Sequence, residues 1–346
     1  MLYRKEIIKK IFIAAAFFLF FIGCGQKEYD IFGKTMGTSY HIRVAVGFFV
    51  NKNRIELKIN KRLAEIEASM SAFSETSELS RFNAFNKENE LFEISKDFSK
   101  VMKTAFFLYK ITNGAWDGSV KPAVDLWGFG AKIKKDYQPP DKKDIKRVAE
   151  YVGFDKIAIK NSKYLIKKDK RATIDLGSIA KGYAVDEICN LLIKEKLKNF
   201  IVEIGGEVKA NGLKINGKRW KAGINLPEKN AFDGKIYKRV KLFNKAMAVS
   251  GDYRFFFEKN NRVFSHIIDP RTCAPVKDNP ASVAIIAADC VIADGLATGL
   301  TVLGRKKGLD LINRTEEVEC QIIMRNKNNN KFSVYYSNGF KDYIAE

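Results

Sequence analysis

Asp294 and Thr298 stand four residues apart, a spacing that puts a carboxylate and a hydroxyl on one face of any helix that carries them. Hard oxygen donors of that kind suit magnesium, with water, backbone carbonyls and substrate phosphates completing its shell. The same spacing is common on ordinary solvated helix faces, so the pair alone leaves both readings open. The sequence holds only two histidines, His41 and His266, which is too few for a multi-histidine zinc or iron site. A second cluster is Ile174-Asp175-Leu176-Gly177-Ser178-Ile179-Ala180-Lys181-Gly182-Tyr183, where a strand is expected to turn through glycine into a helix. The unpaired N–H groups of such a first turn attract anions. Lys181 adds a cation there, against the usual preference for acids at a helix start. The spacing is not that of a Walker A loop, and Gly128-Phe129-Gly130 lacks the third glycine of a dinucleotide fingerprint. The third cluster, Phe264-Ser265-His266-Ile267-Ile268-Asp269-Pro270-Arg271-Thr272, joins a histidine, a carboxylate and an arginine. His266 could act there as a general base near neutral pH, or serve as a hydrogen-bonded turn residue.

These residues need elements to position them. Apolar residues recurring at three and four predict a helix over 54–70, and further helices are expected over 95–112, 141–152, from about 178, and over 289–303 with Gly304 as its stop. Gly295 and Gly299 on the last of these would admit either a ligand or a closely packed neighbour. Alternation and β-branched runs predict strands over 38–46, 172–176, 200–204, 220–225, 237–243, 246–250, 282–287, 318–324 and 332–336, and two more flanking the Asn161-Ser162 turn. Neither a regular βαβ alternation nor a repeat is present. The expected class is therefore α+β, with mixed sheets and packed helices.

At 346 residues and 46% apolar content the chain can bury a full core. The formal charge of +21 comes from lysines spread through nearly every segment, often beside acids, so it describes a solvated surface and no nucleic-acid partner is expected. Arg4, Lys5, Lys9 and Lys10 precede an apolar run from Ile11 to Ile22 that ends at Gly23-Cys24. That pattern predicts a signal peptide over 1–23 and a lipidated Cys24, followed by a tether over 24–37 and a catalytic domain over 38–346. Acyl chains would hold the domain to the membrane without crossing it, placing it in a bacterial cell envelope and facing the periplasm. Cys189, Cys273, Cys290 and Cys320 form no C-x-x-C pair, and buried free thiols are expected at 189, 290 and 320.

Taken in order, several blocks resemble the FAD:protein FMN transferase family, also called the ApbE or thiamine-biosynthesis lipoprotein family. They are Met36-Gly37-Thr38, Ser71-Ala72-Phe73, Ser77-Glu78-Leu79-Ser80-Arg81-Phe82-Asn83, Trp116-Asp117-Gly118 and Leu126-Trp127-Gly128-Phe129-Gly130. The run continues through the block 175–186, Val202-Glu203-Ile204-Gly205-Gly206-Glu207, Ser250-Gly251-Asp252-Tyr253, the block 265–272 and Ala293-Asp294-Gly295-Leu296-Ala297-Thr298. The resemblance covers nearly the whole mature chain and implies a fold of two intertwined subdomains. It implies an FAD site built from Met36, Ala115, Trp116, Asp117, Asp175, Lys181 and the segment around His266 and Ile268. It also implies a magnesium site of Asp294, Thr298 and the Ser178 carbonyl.

The implied reaction transfers the FMN half of FAD to a Ser or Thr hydroxyl of another protein and releases AMP, with His266 as base and Asp269 as its orienter. Acceptors in the family are typically subunits of sodium-pumping NADH:quinone reductase or Rnf-type complexes. This chain holds no acceptor motif of its own, so self-flavinylation is not expected. Two rival readings use the same site: an FAD pyrophosphatase yielding FMN and AMP, a balance on which Asn83 bears, and a non-catalytic flavin-binding lipoprotein. The chain departs from the family in having Cys273 where glycine is common, and Gly295 and Gly299 where alanine is common.

Overall fold

In the computed structural model, residues 26–47, 50–129, 139–227, 236–251, 256–259, 262–276, 279–326 and 331–345 are described. Cys24, the 1–23 leader, Gly130 and Asp252-Tyr253 lie outside them. Among the described residues the main sheet has eight strands: β1 (Gln26–Thr35), β2 (Thr38–Gly47), β3 (Asn199–Ile204), β4 (Glu207–Asn211), β5 (Lys245–Gly251), β6 (Ser282–Ala287), β7 (Glu319–Arg325) and β8 (Phe332–Tyr336). Their order across the sheet is their order in the chain, and every neighbouring pair is antiparallel. The helices are α1 (Lys52–Met70), α2 (Glu78–Ala84), α3 (Lys96–Ile111), α4 (Lys121–Leu126), α5 (Lys142–Ala149), α6 (Gly177–Lys194) and α7 (Cys290–Ile312). The excursion between β2 and β3 supplies α1 to α6 and a three-stranded sheet of Leu91–Glu93, Tyr164–Lys167 and Ile157–Lys160. Because the chain leaves the main sheet and returns to it, the two units are intertwined, and the class is α+β as expected.

One face of the sheet packs α6 and α7. Tyr40, Ile42, Val44 and Val46 of β2 alternate into this core beside Phe200, Val202 and Ile204 of β3. The hairpin Trp220–Asn225 with Ile236–Leu242 covers the middle of the other face. Strand β6 lies between these layers, which is why all its residues are buried and its sequence is an apolar run without alternation.

Three expectations need correction. Residues expected as tether form β1, which pairs along its whole length with β2. Met36 and Gly37 both take positive φ, 50° and 71°, as a two-residue hairpin turn requires. The segment 172–176 alternates in burial like a strand but joins no ladder; the Asn83 side chain holds it instead, accepting from Ile174 N–H at 2.8 Å and donating to Ile174 C=O at 2.8 Å. Gly304 (φ 75°, ψ 178°) breaks α7 without ending it, and a second helical stretch follows to Ile312. Cys189, Cys273, Cys290 and Cys320 are free and buried.

Candidate active site

The two long helices cross where α6 begins. Gly182 makes that crossing possible: a Cβ there would lie 2.5 Å from Cys290 C=O and 2.8 Å from Asp294 Cβ. Its N–H donates to Asp294 Oδ2 at 2.9 Å. In an α-helix that N–H is the partner of the carbonyl four residues earlier, which here is Ser178. The Asp294 carboxylate thus meets the α6 backbone one turn beyond Ser178. Thr298, half-buried, follows one turn beyond Asp294 on α7.

Lys181 stands beside this point, donating to Glu207 Oε1 at 2.9 Å with Asp294 Oδ2 3.9 Å away. Burial raises the Asp294 carboxyl above its ordinary range, opposed by Lys181 and the Gly182 N–H. Burial also raises Glu207, and Asp294 adds to the effect against the pull of Lys181. Burial alone would lower the Lys181 ammonium, but Asp294 and Glu207 outweigh it and hold it above its usual range. Glu207 Oε2 is buried with no hydrogen-bond partner. Two buried carboxylates beside one ammonium make a place where an added cation is favoured. Among the described residues, however, no three His, Cys, Asp or Glu side chains are arranged to hold a metal. An ion here must draw on hydroxyl and carbonyl oxygens, which is the donor set that Thr298 and Ser178 offer.

A second contact one turn along α6 fixes where α7 starts. Asp186 accepts from Cys290 N–H at 3.1 Å and Val291 N–H at 2.9 Å, capping the helix that carries Asp294. Lys209 on β4 donates to Asp186 at 2.7 Å, which offsets the burial that raises this carboxyl. Gly205 lets the β3–β4 turn approach: its Cβ position lies 2.9 Å from Thr38 and 3.2 Å from Lys181. The Met36-Gly37-Thr38 turn is thus brought to Lys181.

The loop containing Ala115, Trp116 and Asp117 is stitched to the same point. Trp116 Nε1 donates to Ser178 Oγ at 3.0 Å, and Asp175 N–H donates to Gly118 C=O at 2.7 Å. Asp175 Oδ1 accepts from Gly177 N–H at 2.7 Å and so sets the first turn of α6. Trp116 and Ala115 are buried. Asp117 is buried too, and its carboxylate accepts from Ser119 N–H (2.7 Å), Ser119 O–H (2.6 Å) and Phe154 N–H (3.2 Å). Burial outweighs these bonds and pushes its pKa up to about 6. These contacts let Asp117 hold the loop that lines the site. Beside it opens a cleft of about 680 Å³ lined also by Tyr109, Lys110, Asn113 and Arg271.

His266 reaches the cluster through its neighbours. Ile267 packs with Ala115 and with Val302 of α7, and Arg271 lies against Gly114. The His266 ring is half-buried, edge-on to Phe129 with centroids 6.4 Å apart. Both Asp269 carboxylate oxygens accept from the Arg271 guanidinium, at 2.8 and 2.7 Å, and one also takes the Arg271 N–H at 3.0 Å. The Ile268 side chain packs into a small core with Trp127 and Cys273, which leaves its backbone as the part a ligand could meet. Cys273 takes φ 51°, the left-handed region that glycine enters freely. Its buried thiol is pushed up to about 11.

Residue type and spacing alone mark no role for Glu207, Asp186 or Gly182. Glu207 ends the Gly205-Gly206-Glu207 block, the one signal that could have drawn attention to it. The two helix glycines that the sequence left ambiguous are accounted for by packing: Cβ atoms would meet Leu108 at 2.2 Å from Gly295, and Thr112 at 3.0 Å from Gly299.

A relative from Haemophilus influenzae named FAD:protein FMN transferase is 38% identical over 345 residues, covering 97% of this chain and 98% of its own. One of the same name from Vibrio cholerae is 34% identical, covering 96% and 98%. The solved flavin transferase ApbE from Vibrio cholerae superposes with a TM-score of 0.81 at 32% identity, over 92% of this chain and 100% of that one. The flavinyl transferase ApbE of Pseudomonas stutzeri does so with 0.82 at 28% identity, over 92% and 97%. The family model matches residues 36–322, and the chain belongs to the ApbE family.

Proposed function

We propose that this chain is an FAD:protein FMN transferase, moving the FMN half of FAD onto a Ser or Thr hydroxyl of an acceptor protein and releasing AMP. The observation that carries the reading is the hydrogen bond from Gly182 N–H to Asp294 Oδ2, with Lys181 alongside, in a chain whose relatives bear that name. Asp294, Thr298 and the Ser178 carbonyl would hold magnesium, which when bound neutralises pyrophosphate charge and polarises the phosphoryl centre. Lys181 and the N–H groups of the first turn of α6 receive phosphate oxygens. Met36, Trp116 and the Ile268 backbone border the FAD site, while Asp175 and Asp117 shape the loops that meet it. His266 takes the proton of the acceptor hydroxyl. The oxygen of that hydroxyl forms a bond to the FMN phosphorus as the bond to the AMP oxygen breaks, and AMP leaves with the electron pair.

Cys24 is proposed as the acylated first residue of the mature chain, tethering the domain to an envelope membrane on its periplasmic side. The acceptors are proposed to be subunits of sodium-pumping NADH:quinone reductase or Rnf-type complexes. The test is FAD turnover with an acceptor across a magnesium titration. The reading expects AMP release only with magnesium; equal release in chelator overturns the metal assignment.

A further inference from the structure

Strand β1 connects two opposite ends of the molecule. Thr35 pairs with Thr38 beside Lys181, while Gln26 pairs with Gly47 at the far end. Nine steps of about 3.3 Å each place roughly 30 Å between them. Helix α6 spans the same interval, from Gly177 at the site to Lys194. Cys24 is two residues from Gln26 in the sequence, a reach of at most about 7 Å.

The sheet register gathers three loops at the far end. Ala45 of β2 pairs with Asn199, Phe200 with Asn211, and Ala210 with Lys245. Hydrogen bonds join the loops into one surface: Asn211 Nδ2 to Lys198 C=O (2.6 Å), Leu213 N–H to Asn199 Oδ1 (3.1 Å) and Gly212 N–H to Asn244 Oδ1 (2.9 Å). Lys194, Lys196, Lys198, Lys218 and Arg219 are exposed on it. In the loops 194–198 and 212–219 the one carboxylate is Glu195, already paired with Lys58 and Arg54, and at the third loop the exposed Glu317 is paired with Lys245. Among these cations three apolar side chains are exposed: Ile193 at 47%, Ile215 at 42% and Phe243 at 43%.

Cations grouped around exposed apolar side chains make the chemistry of an interfacial membrane contact: ammonium groups meet lipid phosphates while apolar groups enter the headgroup boundary. We infer that this end of the domain docks on an anionic lipid surface. The inference rests on Cys24 being the acylated residue, since a two-residue link puts this end, and no other, against the bilayer. Docked this way, the domain carries its active site roughly 30 Å from the membrane, facing away from it. The acceptor hydroxyl must then be offered by a segment that stands out from the bilayer.

The test uses the full acylated chain in vesicles of phosphatidylcholine with or without phosphatidylglycerol, followed by amide hydrogen exchange. Exchange in 193–198, 212–219 and 243–245 should slow by at least about tenfold on anionic vesicles only, and high salt should reverse it. Replacing Lys196, Lys198, Lys218 and Arg219 by Glu should abolish the protection, each lost charge weakening attraction roughly fivefold, with FAD turnover in detergent unchanged. The same reversal at Lys142, Lys143 and Lys146 on α5 should leave the protection intact. Equal exchange on anionic vesicles, neutral vesicles and detergent overturns the docking surface, as does protection that appears only when a membrane protein is added. Intact mass reads the anchor separately: an unacylated chain that is still protected on anionic vesicles keeps the surface and removes Cys24.

Discussion

Replacing Gly182 by alanine tests the helix crossing on which the site depends. The added methyl would sit 2.5 Å from Cys290 C=O, so to reach an ordinary 3.4 Å contact the α7 backbone must retreat by about 0.9 Å. Neither partner can yield by side-chain rotation, because one is backbone and the other is the Cβ of Asp294. Overpacking of this kind costs about 1–3 kcal/mol, of which alanine's better helix propensity returns about 1 kcal/mol. The expected stability loss is thus modest, about 0–2 kcal/mol. Activity should suffer far more, since a displacement near 1 Å in reacting groups costs on the order of 10²-fold. The assay pairs a urea melt with AMP release at saturating FAD and magnesium. Gly295→Ala is the comparison: its methyl meets side-chain atoms and no backbone, Leu108 Cδ1 at 2.2 Å and Ile179 Cγ2 at 2.9 Å. That variant should keep most of its activity. A Gly182→Ala enzyme with wild-type turnover would refute the argument that this contact places Asp294.

Asp294→Ala should abolish FMN transfer while the urea midpoint stays close to wild type in magnesium-free buffer, because the carboxyl is held above its ordinary range by burial and its loss relieves that strain; near-normal turnover at low magnesium would defeat the assignment. His266→Ala should slow transfer by about 10²- to 10⁴-fold with FAD and magnesium affinity little changed, and an equal rate with chemistry limiting would remove it as the base. Asp117 has a folded pKa of about 6 against 3.8 unfolded, so the stabilisation from its proton is present below pH 4 and lost as pH rises through 6. Relative to Asp117→Asn, wild type should therefore lose up to about 3 kcal/mol between pH 4 and pH 7, and parallel urea-stability profiles for the two proteins would contradict the raised value.

The sequence made local features legible and left long-range ones hidden. The periodicity of 54–70 located α1 because its buried residues Ile55, Ile59, Leu63, Ile66 and Met70 all face one core. The spacing of Asp294 and Thr298 named one face of α7 for the same reason. Glu207 was not legible as a site residue, since its meaning comes from lying opposite Lys181 on a different element, 26 residues away. Segment 172–176 misled because burial alternates wherever an extended chain is packed, whether its backbone partner is a strand or the amide of Asn83. Gly25 and the polar residues after it read as a tether, yet pairing with β2 turns 26–35 into an edge strand with Ile31 buried.

The most direct measurement of the central claim is intact mass spectrometry of an acceptor domain incubated with this protein, FAD and magnesium, with the nucleotides quantified in the same sample. The account predicts one FMN added to a Ser or Thr of the acceptor for each AMP released, and neither product with Asp294→Ala. Free FMN and AMP in equal amounts beside an unmodified acceptor would contradict it.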